Sequence, residues 1–292
     1  MPTDRIVLAV EAGGAMGEQA MIEATDGPTA YPDVNVVVVE FLGGIRAVLG
    51  DHLRAMYLSG SLALGDFSPG SSDIDFVVVT EAEVSDDAFG GLRALHARFN
   101  ASDSPWATEV EAAYIPRTDL RRYDPAHACH PHIQRGPEES LVWDTLASDW
   151  VLQRHILRAH GIVVAGPPPD TLIDPVAADE MRRAVAALMR MWWGTMPVEP
   201  EPLRRRGYQA YAVLTMCRIL YTLNAGAVAS KPVAARWAQG ALDTRWAGLI
   251  ARALAWRKDS QQTPDGDVEE TVALIAYTDA RCRQWEGAAT PP

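Results

Sequence analysis

The sequence predicts an α+β protein in which a mixed sheet flanked by helices is followed by an all-α helical bundle. Up to about residue 170, short apolar runs alternate with segments of helical periodicity, whereas every later segment has helical periodicity. The stiff connector G-P-P-P-D at 166–170 separates these two patterns. We therefore expect an N-terminal extension over 1–30, a first domain over 31–172 and a helical bundle domain over 173–292.

The first domain is predicted to begin with a helix that starts near Asp33 and ends at Gly50, because apolar residues recur at helical spacing between them. The remaining elements follow from the same periodicities and from breaker residues. Predicted helices cover 17–24, 85–101, 139–161, 176–196, 208–225, 231–241, 243–258 and 267–285, predicted strands cover 56–58, 74–80, 106–116 and 162–165, and 123–137 is a predicted loop.

Composition excludes several classes of protein. The chain has 292 residues, 48% hydrophobic and 22% charged, which is typical of a globular protein. A net charge of -12 without a long Lys/Arg cluster argues against nucleic acid as the main partner, since phosphate backbones are bound by many basic side chains. Three scattered cysteines favour a reducing compartment, and no apolar run approaches the length of a membrane span. We expect a cytoplasmic protein.

The main motif runs from Met56 to Thr80 and contains S-G-S, a polar loop and S-D-I-D before an apolar strand. Asp73 and Asp75 are one residue apart in a strand, so both side chains project from the same face. Two adjacent carboxylates favour a cation between them, and oxygen ligands suit Mg²⁺. Gly60 and Ser61 provide a turn, backbone N–H groups and a hydroxyl, which together suit a phosphate.

A third carboxylate is expected from the strand predicted over 106–116. Glu109 and Glu111 share one face of this strand by alternation, and a neighbouring strand would bring one of them to the two aspartates. We select Glu109 as the general base and as a metal ligand together with Asp73 and Asp75. The alternative is that both glutamates are charges of an edge strand that keep the protein from aggregating.

Four potential zinc ligands lie close together in the loop predicted over 123–137: His127, Cys129, His130 and His132. Their spacing matches none of the paired arrangements that form tetrahedral zinc sites, and Pro125 and Pro131 interrupt the segment. We interpret this loop as one that faces the substrate, with zinc binding as the alternative.

The order Gly-Ser, polar loop, Asp-x-Asp and apolar strand resembles the signature of the polymerase-beta-like nucleotidyltransferase superfamily. With the helical domain included, the chain resembles more specifically the streptomycin/spectinomycin aminoglycoside adenylyltransferases over about 33–285. The stretches that carry this resemblance are S-G-S-x-A-L-G, S-D-I-D, A-T-E-V, A-G-P…D-P-V, L-T-M-C-R-I-L-Y and K-P-V-A-A-R-W-A.

The resemblance implies a nucleotidyltransferase domain followed by a helical bundle, with ATP and substrate between them. It places Gly60, Ser61 and Ser72 on the triphosphate side and Mg²⁺ on Asp73 and Asp75, and it makes Glu109 the general base for the attacked hydroxyl. It implies further contacts with the nucleotide from four residues, because Asp149 would face it, Arg218 and Lys231 would neutralise triphosphate charge, and Trp256 would replace a tyrosine packed near it. An arginine or lysine on a helix is otherwise a solvated charge, and Trp256 is otherwise part of a core.

The chain departs from the family pattern upstream of the L-T-M-C-R helix. The antibiotic enzymes carry acidic residues there that meet cationic groups of streptomycin, whereas this chain has R-R-R-G-Y-Q with Arg204 and Tyr208 at those positions. Glu199 and Glu201 lie just upstream and would compensate if the loop were shifted. The resemblance therefore implies ATP more firmly than it implies a polycationic acceptor.

These observations predict an enzyme that uses Mg²⁺ and ATP to transfer AMP to a hydroxyl of an aminoglycoside or aminocyclitol and releases pyrophosphate. One alternative acceptor is a protein or RNA hydroxyl, as in antitoxin-like members of the superfamily, which the run Arg204–Arg206 would suit. A second alternative is a nucleotide-binding regulator without turnover, against which the third carboxylate argues. We expect a monomer or weak homodimer.

Overall fold

The computed structural model describes residues 27–194, 201–256 and 265–289. The helix predicted over 17–24 lies outside these residues. Six strands are present in the described chain: β1 Leu53–Leu58, β2 Ile74–Thr80, β3 Val110–Pro116, β4 Cys129–Ile133, β5 Val142–Thr145 and β6 Ile162–Ala165.

The helices divide between the two predicted domains. Those of the first domain are α1 Pro32–Leu49, the short α2 Gly60–Ala63, α3 Asp86–Asn100, α4 Arg117–Arg121 and α5 Asp149–His160. Those of the helical domain are α6 Ala178–Leu188, α7 Arg206–Ala225, α8 Lys231–Ala241, α9 Ala247–Ala255 and α10 Asp265–Ala289. Short 3₁₀ turns occupy Gly50–His52, Pro125–His127, Pro169–Thr171, Glu201–Arg204 and Thr244–Trp246, and a π-helical turn occupies Met189–Trp193.

The strands form one sheet in the order β5-β4-β3-β2-β1-β6. Only β2 and β3 are parallel, and the other neighbouring strands are antiparallel. The parallel pair requires a crossover, which α3 provides, whereas antiparallel neighbours can be joined by shorter connections. The predicted α+β class with a mixed sheet is confirmed.

One face of the sheet packs against α1 and α3. Alternate residues of the central strands, including Phe76 and Tyr114, join Phe41 of α1 and Phe99 of α3 in a core without exposed rings. The N-terminus of α3 is capped as predicted, because the Ser85 Oγ accepts the Ala88 N–H at 3.3 Å.

The opposite face packs against α5 and the segment that follows β6. Tyr57, Val77 and Ile115 contact Trp150 and Leu157 there. Strand alternation puts Asp73, Asp75 and Glu111 on this same face, beyond the apolar part of the core.

The helical domain surrounds α7, against which α6, α8, α9 and α10 pack. Small residues such as Ala212 and Ala235 let the helices approach closely, and Met216, Leu249 and Ile275 fill the centre. The C-terminal helical region is confirmed, whereas the predicted boundaries at 30 and 172 stay predictions.

Three predicted elements need correction. The segment 139–161 is not one helix, because it forms β5 before α5 begins at Asp149. The segment 123–137 is not only a loop, since β4 forms despite Pro131, which lies opposite Trp143 of β5. The strand predicted from Trp106 begins at Val110, after turns.

The predicted ends of two helices also change. The helix predicted over 176–196 is regular only to Leu188 and continues as the π-helical turn, and its last two positions lie outside the described residues. The helix predicted over 243–258 begins as a 3₁₀ turn, and α9 ends at Ala255.

Candidate active site

Four strand ends meet at one edge of the sheet. β1 ends at Leu58 and β2 begins at Ile74, while β3 begins at Val110 and β4 ends at Ile133. Because β1 and β4 run opposite to β2 and β3, these ends lie side by side. The Gly-Ser turn, the Asp-x-Asp pair, the start of β3 and the residues after β4 are therefore neighbours in space.

Three carboxylates converge at this edge. One oxygen from each of Asp73, Asp75 and Glu111 can be chosen so that all three atoms lie within 4.8 Å of one another. The parallel register places Glu111 directly beside Asp75. Among the described residues, this is the group of three acidic, histidine or cysteine side chains that could hold a metal ion.

The charges at this edge favour a cation. Burial raises the pKa of Asp75 well above its ordinary value, and the neighbouring charges of Asp73 and Glu111 raise it further. Lys231 and Arg135 oppose this increase. The donor set of three carboxylates also matches the oxygen ligands that Mg²⁺ prefers, so the residues present fit the predicted metal.

The third carboxylate of this group is Glu111, and the predicted role of Glu109 as general base and metal ligand stays a prediction. Glu109 precedes β3, and its carboxylate lies 3.4 Å from the Nη1 of Arg135. The Nε of the same arginine lies 3.5 Å from Asp73. Both glutamates project from one face, so alternation alone does not separate them, whereas the register with β2 brings Glu111 to Asp75.

Position 60 requires glycine because of its backbone conformation and because of its contact with a neighbouring side chain. Its φ of +54° lies in the left-handed region, and a Cβ atom there would be 1.9 Å from the Oδ2 of Asp75. The turn is tied to β2 because the Ser59 N–H donates to the Asp75 carbonyl at 2.9 Å. The phosphate turn predicted at Gly60 and Ser61 therefore lies against the aspartates.

The two predicted serines differ in their surroundings. The Oγ of Ser61 is buried and has no hydrogen-bond partner among the residues described, which suits a bound ligand. The Oγ of Ser72 instead accepts the Ser68 N–H at 3.0 Å, and the Ser72 N–H donates to the Ser68 carbonyl. Ser72 thus closes the loop before β2, and its contact with phosphate stays a prediction.

Two cations from the helical domain act on the carboxylates. Burial lowers the pKa of Arg218, and the charge of Asp75 is among those that oppose the decrease. The Nζ of Lys231 lies 5.4 Å from the ring centroid of Tyr211, and the charge of this lysine lowers the pKa of Asp75. The structure therefore brings both predicted residues toward the site from a different domain.

Asp149 lies at the start of α5 and also faces this edge. Burial raises its pKa to about 6, and the charge of Glu111 contributes to the increase. Its Oδ1 is buried without a hydrogen-bond partner in the described part of the chain. An unpartnered buried carboxylate oxygen suits a bound donor, and the contact of Asp149 with the nucleotide stays a prediction.

Trp256 lies at the end of α9, at the margin of the helical core. The guanidinium carbons of Arg206 and Arg252 lie 5.1 and 5.9 Å from the centroid of its ring. These contacts give the indole a structural role, and its predicted packing near the nucleotide stays a prediction.

The predicted histidine and cysteine cluster separates into different environments. His132 lies between the carboxylates of Glu111, at 3.8 Å, and Asp144, at 3.4 Å. Burial lowers the pKa of His132, but these two partners outweigh it and the net shift is upward. His127 pairs with Asp124 at 3.1 Å, and Cys129 is exposed.

Sequence reasoning missed His132 and Arg135 as neighbours of the carboxylates. Both positions depend on β4, which places His132 opposite Ala113 and lets Arg135 follow two residues after the strand ends. The apolar residues that usually mark a strand are nearly absent from C-H-P-H-I, so the signal was confined to its last residue.

The two halves of the chain match two family models. Residues 46–143 match the model described as nucleotidyltransferase domain. Residues 171–281 match the model described as aminoglycoside adenylyltransferase, C-terminal domain. The carboxylates lie within the first match, and Arg218 and Lys231 lie within the second.

Curated relatives carry one description. The chain is 26% identical over 256 residues to an "Aminoglycoside (3'') (9) adenylyltransferase" of Escherichia coli, covering 83% of this chain and 94% of the relative. A protein of the same description from Shigella flexneri is 26% identical over 230 residues, covering 76% of this chain and 84% of that protein.

A solved structure shares the fold. The spectinomycin adenyltransferase from Enterococcus faecialis, crystallised with ATP and spectinomycin, matches with a TM-score of 0.65 and 16% sequence identity. The match covers 87% of this chain and 99% of that one. No helix in the described segments is both long and apolar enough to cross a membrane.

Proposed function

We propose that this chain, an aminoglycoside adenylyltransferase-like nucleotidyltransferase, transfers AMP from ATP to a hydroxyl of an aminoglycoside or aminocyclitol and releases pyrophosphate. The observation that carries the proposal is the group formed by Asp73, Asp75 and Glu111 beside the turn at Gly60. Family models that match both halves of the chain support the same reaction class.

Asp73, Asp75 and Glu111 would hold Mg²⁺, which when bound supplies electrostatic stabilisation of phosphate charge. The fit rests on the close approach of the three carboxylates and on the raised pKa of Asp75. Asp75 and Glu111 lie on two parallel strands, so the sheet fixes their spacing, and Asp73 directly precedes the first of these strands.

Glu111 accepts the proton of the attacking hydroxyl in the proposed mechanism. The hydroxyl oxygen forms a bond to the α-phosphorus, and the bond from this phosphorus to the bridging oxygen of the β-phosphate breaks. Pyrophosphate leaves with the electron pair of that bond. Arg218 and Lys231 neutralise its charge from the helical domain, and Ser61 donates its free hydroxyl to the triphosphate.

The region proposed to bind the acceptor has basic and aromatic side chains where the related enzymes have acidic ones. Arg204, which stands where the family carries an acidic residue, donates to Glu201 at 3.0 Å. Tyr208 packs with Tyr211 and Trp193, with ring centroids 5.9 and 6.3 Å from its own. We propose that the acceptor is an aminocyclitol or a less basic aminoglycoside, since aromatic faces recognise sugar-like rings without requiring several positive charges.

The run Arg204–Arg206 does not form a free basic surface. Arg204 pairs with Glu201, and the guanidinium of Arg206 lies over Trp256. The feature that favoured an RNA acceptor is therefore partly used inside the helical domain. The three cysteines are unpaired, and we propose a cytoplasmic location, where ATP is available.

The direct test is pyrophosphate release from ATP and Mg²⁺ with a panel of streptomycin, spectinomycin and other aminoglycosides. We expect turnover with at least one member and about 1000-fold less in Asp73→Asn and Asp75→Asn. Asp86→Asn, on the exposed first turn of α3, is the matched control and should retain the wild-type rate. Expression in a susceptible bacterial host should raise resistance to the same acceptor.

Two results would replace this proposal. Label from α-labelled ATP on protein or RNA, without transfer to any antibiotic, would assign a macromolecular acceptor. Binding of ATP with Mg²⁺ but no transfer to any acceptor would identify a nucleotide-binding regulator.

A further inference from the structure

Arg135 is the arginine of the first domain that contacts the acidic end of the strands, where His132 also contacts Glu111. Its Nε lies 3.5 Å from the Oδ2 of Asp73, and its Nη1 lies 3.4 Å from the Oε2 of Glu109. The arginine side chain is half exposed, so part of it is accessible from solvent. An arginine has five donors in a planar fork, and these two contacts leave most of them available.

The backbone fixes where this side chain starts. Arg135 follows β4 by two residues, and the N–H of the next residue, Gly136, donates to the carbonyl of Thr108 at 2.9 Å. This bond continues the pairing of β3 and β4 past their ends. The arginine is thus held next to the start of β3 by the sheet, on the same side as the three carboxylates.

The positive charges around the carboxylates come from two directions. Arg218 and Lys231 come from helices of the second domain, whereas Arg135 comes from the end of β4. Arg218 and Lys231 are assigned above to the leaving pyrophosphate. A phosphoryl group bound through a cation at Asp73 would lie within reach of Arg135, because the guanidinium already touches this aspartate.

We propose that Arg135 is a catalytic residue that contacts the transferring α-phosphoryl group and that Glu109 is the positioning residue that holds its guanidinium. This inference rests on the proposed function. The contacts of Arg135 with Asp73 and Glu109 are both longer than a good charged hydrogen bond. If a phosphate oxygen replaced the Asp73 carboxylate as a partner, the guanidinium would form a shorter hydrogen bond with it. Planar guanidinium groups bind phosphate oxygens in pairs, which a lysine does not reproduce.

The proposal also explains the two glutamates on one strand face. Glu111 belongs to the group around Asp75, whereas Glu109 contacts Arg135. Glu111 would serve the reaction directly, and Glu109 would hold the guanidinium of Arg135 beside Asp73.

The test compares Arg135→Gln with Arg117→Gln. Arg117 has the same side-chain exposure and an ion pair with Glu81 at 2.9 Å, but it follows the other end of β3. Calorimetry with Mg²⁺ and α,β-methylene-ATP, which cannot transfer its α-phosphoryl group, measures binding without turnover. We expect the dissociation constant to rise about tenfold in Arg135→Gln and to remain unchanged in Arg117→Gln.

Measuring kcat distinguishes a contact of Arg135 with the reacting phosphoryl group from a contact that only increases the affinity for the nucleotide. We expect kcat to fall about 100-fold in Arg135→Gln, and Arg135→Lys to restore the dissociation constant more completely than kcat. A dissociation constant and a kcat equal to those of Arg117→Gln would overturn the inference while leaving the proposed function intact. Failure of the wild-type chain to bind the nucleotide analogue would overturn both.

The role of Glu109 is tested by a double-mutant cycle. If Glu109 acts through Arg135, Glu109→Gln should lower kcat about tenfold alone and add no further loss to Arg135→Gln. A loss of about 1000-fold in Glu109→Gln that adds to the effect of Arg135→Gln would instead identify Glu109 as the general base.

Discussion

The two faces of the sheet bury different kinds of titratable group. One face buries a neutral, hydrogen-bonded pair, and the other buries carboxylates that repel one another. On the face covered by α1 and α3, His96 and Tyr114 share a hydrogen bond of 2.7 Å inside an aromatic core, and burial lowers the pKa of His96 to about 4. On the face covered by α5, Asp75 and Glu111 lie next to each other, and burial and mutual repulsion raise the pKa of Asp75.

The difference separates stability from function within the same two strands. The histidine on the first face is neutral and its Nε2 shares a hydrogen bond with a tyrosine, while its Nδ1 is buried without a partner among the described residues. The carboxylates on the second face are close together and only partly balanced by cations, so the fold tolerates an unfavourable charge that a bound metal would relieve. Burial alone therefore does not identify a site, whereas unbalanced charge at a strand end does.

The largest effect on kcat is expected for the two glutamates near the start of β3, Glu111 within the strand and Glu109 just before it. Glu111→Gln should lower kcat about 1000-fold because the base for the attacking hydroxyl is lost. Glu109→Gln should lower it only about tenfold, and neither change should reduce the melting temperature. Steady-state kinetics and thermal denaturation of the two variants provide the measurement, and a reversed order of activity would return the role of base to Glu109.

The aromatic face should control stability at low pH. The unfolded pKa of His96 is near 6.5 and the folded pKa is about 4, so the unfolded chain binds a proton first as pH falls. The free energy of unfolding should therefore fall by about 3 kcal/mol between pH 6.5 and pH 4 because of this residue.

Urea denaturation at several pH values tests this expectation. The double variant His96→Leu/Tyr114→Phe removes the hydrogen bond and the proton-binding site together, and its stability should lack that part of the pH dependence. An unchanged slope between pH 6.5 and pH 4 would show that His96 does not control acid stability.

Substitution by alanine should destabilise the protein more at Gly60 than at Gly65, which has a similar left-handed backbone conformation. Gly60 and Gly65 have φ values of +54° and +67°, but only a Cβ at Gly60 would meet Asp75. Gly65→Ala should cost about 1 kcal/mol of backbone strain, and Gly60→Ala should cost about 2 kcal/mol more and displace the carboxylate. Chemical denaturation and Mg²⁺-dependent turnover measure both changes, and equal losses in both variants would show that contact with Asp75 is unimportant.

The smallest effect on stability is expected when the charge of Asp75 is removed from the metal-free protein. Because the folded pKa is raised above the ordinary value, the metal-free fold loses stability as pH rises through that range. Asp75→Asn should therefore stabilise the protein by about 1 kcal/mol at pH 7 in a chelating buffer, although it lowers Mg²⁺-dependent turnover about 1000-fold. Thermal denaturation with EDTA measures this gain, and a loss of stability would mean that the local cations already balance the carboxylate.

The sequence predicted the parts of the site that lie close together in the chain. S-G-S and S-D-I-D specify a turn, a loop and a strand start, and local rules cover all three. The helix at 231–241 was predicted with its bounds, since Pro232 and the apolar spacing mark it clearly. The solved structure of similar fold supports the α+β fold, and the two family models and the curated relatives support the adenylyltransferase class.

The sequence could not specify what depends on pairing between distant strands. Glu109 and Glu111 are equivalent by alternation, and only the register of β3 with β2 distinguishes them. β4 was missed because Pro131 argues against a strand, and Arg135 was missed with it. Long-range register is set by the whole sheet, so no short window of residues contains it.

The charges of the site come from distant parts of the chain, which has a consequence during synthesis. The ribosome completes Asp73, Asp75 and Glu111 well before it adds Arg218 and Lys231. A nascent first domain therefore holds crowded carboxylates with Arg135 and His132 beside them, but without the two cations of the helical domain. We expect this intermediate to be the stage of biogenesis most dependent on divalent cations, and docking of the helical domain to end that dependence.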